Sequence, residues 1–175
     1  MASTDRSPTI APTPELARAV AEMQLQSLEY EFPVTKTVTL AITNPDFRID
    51  PKSRTALELA WHMLSVDVQM LEDIANLKFE MEERRKECPK TVEALATWYE
   101  SNFPQAIAKV RGMTDEQLLT PIDFAGMFNF PAFMYIPFVV KHHVHHRGFL
   151  AAYLRPMGSK VPSIYGPTAD EPMQM

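Results

Sequence analysis

Apolar residues recur at mixed three- and four-residue spacing over long stretches of the chain, which is the pattern of helices that bury one face. Only 5 glycines occur among 175 residues, so strands joined by tight turns describe the sequence poorly. We therefore expect an all-α protein, folded as a four-helix bundle. The predicted helices cover about residues 15–30 with a short continuation over 34–42, then 53–87, 91–113 and 131–156.

Prolines and capping residues set the expected boundaries of these helices. Pro33 is expected to kink or interrupt the first helix, and Pro137 to kink the last one or delay its start. Ser53 is the expected cap of the second helix. The domain prediction is a disordered lead-in over residues 1–14, a single bundle domain over 15–167 and a loose tail over 168–175.

Composition narrows the classes of function. The chain has 17 Lys and Arg against 22 Asp and Glu, and this net charge of -5 gives no reason to expect nucleic acid or an anionic membrane as a partner. Its one cysteine, Cys88, excludes an intramolecular disulfide framework and fits a reducing compartment. We find no signal-peptide core and no apolar stretch long enough for a membrane span, so a cytoplasmic protein is expected.

Four of the five histidines fall within the segment from His142 to His146. His142 and His146 are one helical turn apart on the apolar stripe of the last predicted helix, with Cβ atoms roughly 6 Å apart. His62 occupies a similar inward position on the second helix. Three imidazoles would leave coordination positions open, as catalytic metal sites do, and they suit Zn, Ni, Cu or Fe. The alternative is that these histidines are ordinary hydrogen-bonded core residues.

More than one role fits the other residues near the histidines. His143 and His145 point away from the pair and are expected to be exposed or to support the ligands. Glu58 is the nearest acidic residue that could orient an imidazole, although it also fits an ordinary solvated position. Asp67 and Tyr153 are weaker candidates for the same role. Arg147 could bind an acidic cosubstrate, form a salt bridge or contact a second subunit.

Several motifs together resemble one known family, over about residues 15–171. They are Leu59-Ala60-Trp61-His62, His142-x-x-His145-His146-Arg147-Gly148, Tyr153-Leu154-Arg155 and the segment from Val161 to Pro167. In these the chain resembles the DinB-like (DinB/YfiT-like) metalloenzyme family. The resemblance implies a four-helix bundle with long crossover connections, commonly a homodimer, that holds one divalent metal ion, typically zinc or nickel. The ligands it implies are His62, His142 and His146. One departure is Phe149, where the family often has Gln.

The resemblance also implies a reaction class, because characterised relatives include transferases and isomerases that use a low-molecular-weight thiol. A metal ion would lower the pKa of a thiol or water bound beside it, and Cys88 lies next to a charged helix end, so the thiol would come from a cosubstrate. We expect a metal-dependent enzyme of the thiol-dependent S-transferase type that acts on a small electrophile. The alternatives are a non-catalytic metal- or ligand-binding stress-response protein and a metal-dependent hydrolase.

Overall fold

A computed structural model describes residues 12–82 and 87–172 of the chain. Its helices are α1 (Pro14–Leu40), α2 (Ala56–Ala75), α3 (Val92–Arg111), the short α4 (Asp115–Leu119) and α5 (Ile136–Leu154). Two short strands, β1 (Pro121–Phe124) and β2 (Phe128–Pro131), precede a single 3-10 turn, Ala132–Tyr135, that leads into α5. The expectation of an all-α fold is confirmed, with one small hairpin added.

The four long helices form a bundle in which α1 and α2 each pack against both α3 and α5. Helices α1 and α2 follow one another in the chain but lie on opposite corners of the bundle. Helices α3 and α5 occupy the other two corners. The segments 41–55 and 112–135 therefore cross the ends of the bundle, which confirms the predicted long crossover connections. Apolar side chains from all four long helices meet between them in one buried core.

Helix α2 is much shorter than the predicted helix over residues 53–87, and its predicted cap is wrong. Thr55 rather than Ser53 caps the helix, through a capping box with Glu58. The helix ends at Ala75 because Leu77 adopts a left-handed conformation (φ 56°) and the Lys78 N–H bonds back to the carbonyl of Asp73. Residues 83–86, the last part of the predicted helix, lie outside the described residues.

Two prolines act differently from one another. Pro33 lies inside α1, which continues as one helix to Leu40, so the predicted interruption is wrong. Packing of α1 against both α3 and α5 outweighs the single backbone hydrogen bond that Pro33 removes. Pro137 lies in the first turn of α5, where it needs no N–H, and the predicted delay of this helix is confirmed.

The hairpin replaces the first residues of the predicted last helix. Strands β1 and β2 pair antiparallel, and Ala125 and Gly126 between them both adopt positive φ angles. The hydroxyl of Tyr135 donates to the carbonyl of Ile122 and accepts from the N–H of Phe130. These bonds hold the hairpin against the start of α5.

Both ends of the predicted domain differ in detail from the expectation. Helix α1 begins at Pro14, inside the predicted lead-in, while residues 1–11 lie outside the described part. In the predicted tail, the carboxylate of Asp170 accepts from the Val161 N–H and pairs with Arg155, so Asp170 is held to the segment that follows α5. No helix among residues 12–82 and 87–172 is long and apolar enough to cross a membrane.

Candidate metal centre

The packing of α2 against α5 brings together the three histidines that the sequence singles out. His62 comes from α2, and His142 and His146 come from successive turns of α5. The ring centroid of His62 is 5.6 Å from that of His142 and 4.8 Å from that of His146, and the two α5 rings are 4.3 Å apart. One nitrogen from each ring can be chosen so that all three lie within 4.8 Å of one another.

Asp67, one of the two weaker candidates, is the carboxylate that orients this site. It lies on α2 with no solvent exposure, and its two oxygens accept from His142 Nδ1 and His143 Nδ1, each at 2.7 Å. Burial alone would raise the pKa of Asp67, but the hydrogen bonds from the two histidines outweigh it and hold the pKa below its usual value. Asp67 is therefore ionised at neutral pH and can only accept hydrogen bonds.

This ionised carboxylate assigns the tautomer of His142. Because Asp67 can only accept, Nδ1 of His142 carries a proton, and the neutral ring offers its Nε2 lone pair. A histidine that donates one N–H to a carboxylate while its other nitrogen stays free is the usual arrangement of a metal ligand. Since the side chain of His142 is 20% exposed, its ring lies at the edge of the bundle rather than in the sealed core.

His146 is kept neutral by its surroundings. Partial burial, with a smaller contribution from His142 and His62, lowers the pKa of His146 to about 4. Its Nδ1 is buried and has no hydrogen-bond partner among the described residues. A neutral imidazole with an unsatisfied buried nitrogen is costly in an apolar environment, and coordination of a cation by the same ring would offset that cost.

The donor set fits a transition-metal ion. Three imidazole nitrogens suit Zn, Ni, Cu or Fe and match Mg or Ca poorly, since those ions prefer oxygen ligands. Nitrogens on a tetrahedral ion lie about 3.3 Å apart when the metal-nitrogen bonds are about 2.0–2.1 Å. The observed upper limit of 4.8 Å is wider, so small side-chain rotations would close the three nitrogens around an ion. Histidines His62, His142 and His146 are thus placed where such an ion can be held.

A second polar network lies behind the histidines; His143, Thr35, Arg147 and Glu31 are buried in it, and the exposed Tyr165 closes its outer end. His143, which has no solvent exposure, contacts Thr35 Oγ1 on α1 through Nε2 at 2.6 Å. The guanidinium of Arg147, 1% exposed, pairs with Glu31 and donates to Thr35 at 3.4 Å. Tyr165 contacts both Arg147 and Glu31. The network therefore ties α1, α5 and the C-terminal segment to Asp67 on α2.

The remaining candidates separate clearly in the structure. His145 is exposed, whereas His143 is buried and supports Asp67 from behind. Of the two roles considered for Glu58, the structure shows the solvated one, because its carboxylate completes the cap of α2 and pairs with Arg48 at the surface. The Tyr153 hydroxyl donates to the carbonyl of Arg54 and forms no hydrogen bond with any of the described imidazoles.

The structure also decides the role of Arg147. Of the three roles considered for Arg147, the structure gives the salt bridge, because the guanidinium is buried against Glu31 and is not available to a cosubstrate. One sequence signal marks Asp67 as a buried acid, although it does not identify the partners. Its neighbours at three and four residues on α2, Met63, Leu64, Met70 and Leu71, are all apolar, and an acid alone on an apolar face requires a buried partner.

His146 also forms part of the wall of an open cleft of about 570 Å³. The cleft has an apolar side and a polar rim, and Phe149, at the position where the family often has Gln, belongs to the apolar side at 45% exposure. Its lining residues are Lys52, Ser53, Arg54, Leu59, His145, His146, Phe149 and Tyr153. A cleft of this size beside the histidines accommodates a small molecule.

The fold and the site define a helical bundle with a histidine cluster between two helices at its surface. The family model described as the DinB family matches residues 21–174, and the chain belongs to that family. It is 28% identical over 152 residues to the uncharacterized protein YrdA of Bacillus subtilis (strain 168), which covers 84% of this chain and 89% of YrdA.

Solved structures agree with this assignment. A DinB-like protein from Bacillus cereus ATCC 10987 superimposes with a TM-score of 0.69 at 26% identity, over 82% of this chain and 97% of that one. The DinB-like protein YjoA from Bacillus subtilis gives a TM-score of 0.68 at 21% identity, over 81% of this chain and 97% of YjoA, a likeness of fold. The resemblance found in the sequence is confirmed.

Proposed function

We propose that the chain binds one divalent metal ion, zinc or nickel, through His62, His142 and His146. The observation that carries this proposal is the convergence of three imidazoles from two helices within 4.8 Å, beside an open cleft. Membership of the DinB family and the orientation of His142 by buried Asp67 support it. Three protein ligands leave room for a further one, which is the arrangement of catalytic sites.

We further propose that the protein is a metal-dependent enzyme of the thiol-dependent S-transferase type. A divalent ion in this site would supply Lewis acidity and lower the pKa of a thiol beside it. Protein residues prepare the imidazoles for the ion. Asp67 holds the His142 ring in place, and partial burial keeps His146 unprotonated. The one cysteine, Cys88, forms no part of the histidine cluster, so the thiol comes from a cosubstrate and a small electrophile accepts it.

The first experiment is elemental analysis of the purified, tag-free protein for Zn, Ni, Fe, Cu and Mn. We expect close to one metal ion per chain in the wild type and a loss of most of it in His142→Ala. The matched control is His145→Ala, because His145 is three residues away on the same helix but exposed. Wild-type protein that stays empty after incubation with zinc or nickel would overturn the metal proposal.

A second experiment separates an enzyme from a non-catalytic binding protein. The metal-loaded protein is incubated with glutathione or bacillithiol and an electrophile such as chlorodinitrobenzene or monobromobimane, and conjugates are measured against the His142→Ala background. We expect conjugation that depends on the metal, the thiol and the intact site. A metal-loaded protein that forms no conjugate and instead shows only a higher melting temperature would favour a binding protein. Hydrolysis of an ester in the same preparation without thiol would favour a metal-dependent hydrolase.

We also propose that the protein works as a homodimer in the cytoplasm and binds no nucleic acid. The dimer rests on the resemblance to the family, and the reducing compartment on the single free cysteine, Cys88. A net charge of -5 speaks against a polyanionic partner. Sedimentation equilibrium tests the dimer, and a single species near 19.9 kDa would rule it out.

A further inference from the structure

The cleft that contains His146 is lined by two cationic side chains, Lys52 and Arg54. Lys52 and Arg54 lie in the loop before α2, both exposed, and line the cleft together with His145. Neither Lys52 nor Arg54 forms a side-chain ion pair or hydrogen bond with any residue of the described ranges. No carboxylate is among the residues that line this cleft.

Two acids near the cleft are already engaged. The carboxylate of Asp50 accepts from the backbone N–H of Lys52 at 2.8 Å and from the Ser53 hydroxyl. Glu58 lies close enough to Arg54 to have its pKa lowered in part by that charge, but its carboxylate accepts from the Thr55 N–H at 2.7 Å and pairs with Arg48. The amide of Thr55 is likewise used by the capping box, so the start of α2 is satisfied from within the chain. The charged contacts to an anion in the cleft would therefore come from the side chains of Lys52 and Arg54.

The opposite side of the cleft is apolar. Leu59, Phe149 and Tyr153 form it, and the Tyr153 hydroxyl is turned away to the carbonyl of Arg54. His146, a member of the histidine cluster, lines the cleft beside His145, so a ligand in the cleft would meet the cluster at the His146 ring. A ligand that matches this surface has a carboxylate at one end, a short carbon chain and a metal-seeking group at the other end.

We propose that Lys52 and Arg54 form the subsite for the carboxylate of the small thiol that this protein uses. That the ligand is a thiol rests on the proposed function. That it carries a carboxylate rests on the cationic lining of the cleft. A singly charged carboxylate fits better than a phosphate dianion, because Glu58 adds a negative charge close to Arg54. The two cations select the cosubstrate by charge and direct its sulfur toward the histidine cluster.

The test compares two thiols that differ in the carboxylate, 3-mercaptopropionate and 2-mercaptoethanol. Their affinities for the metal-loaded protein are measured by titration calorimetry at low ionic strength. We expect 3-mercaptopropionate to bind about three- to tenfold more tightly to the wild type, in the range of two exposed charge pairs. In Lys52→Gln/Arg54→Gln the preference falls to near one, while the affinity for 2-mercaptoethanol changes by less than twofold.

The matched control is Lys90→Gln/Lys160→Gln, which removes the same two charges from surfaces outside the cleft. It should keep the preference for 3-mercaptopropionate. A Lys52→Gln/Arg54→Gln protein that also keeps it would overturn the subsite, whatever the metal content. If the wild type holds no metal, the proposed metal function fails on its own. The subsite is then tested by NMR on the metal-free proteins. We expect 3-mercaptopropionate to shift the signals of cleft residues in the wild type but not in Lys52→Gln/Arg54→Gln, and equal shifts in both would overturn it.

Discussion

The substitution Asp67→Asn tests the buried support of the histidine cluster most directly. Asn has nearly the shape of Asp but presents an amide group where the carboxylate has a second oxygen. The amide oxygen can still accept from one histidine, whereas the NH₂ group faces the Nδ1–H of the other, donor against donor. One hydrogen bond to a charged acceptor is therefore lost and the second is weakened.

The expected cost follows from those two bonds. A hydrogen bond to a charged group contributes about 1.5–3 kcal/mol, and removing the buried charge returns part of its desolvation cost. We expect Asp67→Asn to lower the free energy of unfolding of the metal-free protein by about 2–3 kcal/mol in urea titrations at pH 7. The control Glu58→Gln alters an exposed carboxylate at the helix cap and should cost less than about 1 kcal/mol.

The pH dependence gives an independent check on the same residue. The folded-state pKa of Asp67 lies below its unfolded value, so its stabilisation is present above about pH 4 and is lost as the pH falls through the folded pKa. The difference in stability between wild type and Asp67→Asn should therefore shrink in acid. A cost below about 0.5 kcal/mol at pH 7, equal to that of Glu58→Gln, would refute the role assigned to Asp67.

Three further predictions concern neighbouring groups. The pKa of His146 is lowered to about 4, so metal-free protein should lose about 1–2 kcal/mol of stability between pH 6.5 and 4, after allowance for partial exposure. Denaturant titrations should show this slope flattened in His146→Gln and kept in the exposed control His145→Gln. Arg147→Met leaves Glu31 buried without its partner and should cost about 3–5 kcal/mol in the same assay. Tyr165→Phe removes only a hydroxyl contact from that pair and should cost about 1 kcal/mol.

Each of these has a result that would contradict it. Equal slopes for His146→Gln and wild type would assign the acid destabilisation to other groups. If Arg147→Met had the same urea midpoint as the wild type, the buried ion pair would make no net contribution to the free energy of unfolding. A Tyr165→Phe cost as large as that of Arg147→Met would place the tyrosine, rather than the arginine, at the centre of the network.

Local sequence determined the helices and the identity of the candidate ligands. The three- and four-residue spacing marks helical segments regardless of what they contact, and Thr91 and Gly112 bound α3 close to the predicted limits. His142 and His146 share a face because four residues make about one helical turn. Boundaries that depend on one residue's conformation were missed, as at Leu77, where a left-handed φ ends α2 in the middle of a helical pattern.

Only the tertiary structure decided which residues act on the histidines. Glu58 is one turn from His62 in sequence, yet its side chain caps the helix, while Asp67 reaches two histidines 75 and 76 positions away. The roles of His143 and Arg147 likewise depend on Thr35 and Glu31 of α1, which no local pattern connects to α5. Spacing along one helix is set by backbone geometry, but contacts between helices are set by how the whole bundle packs.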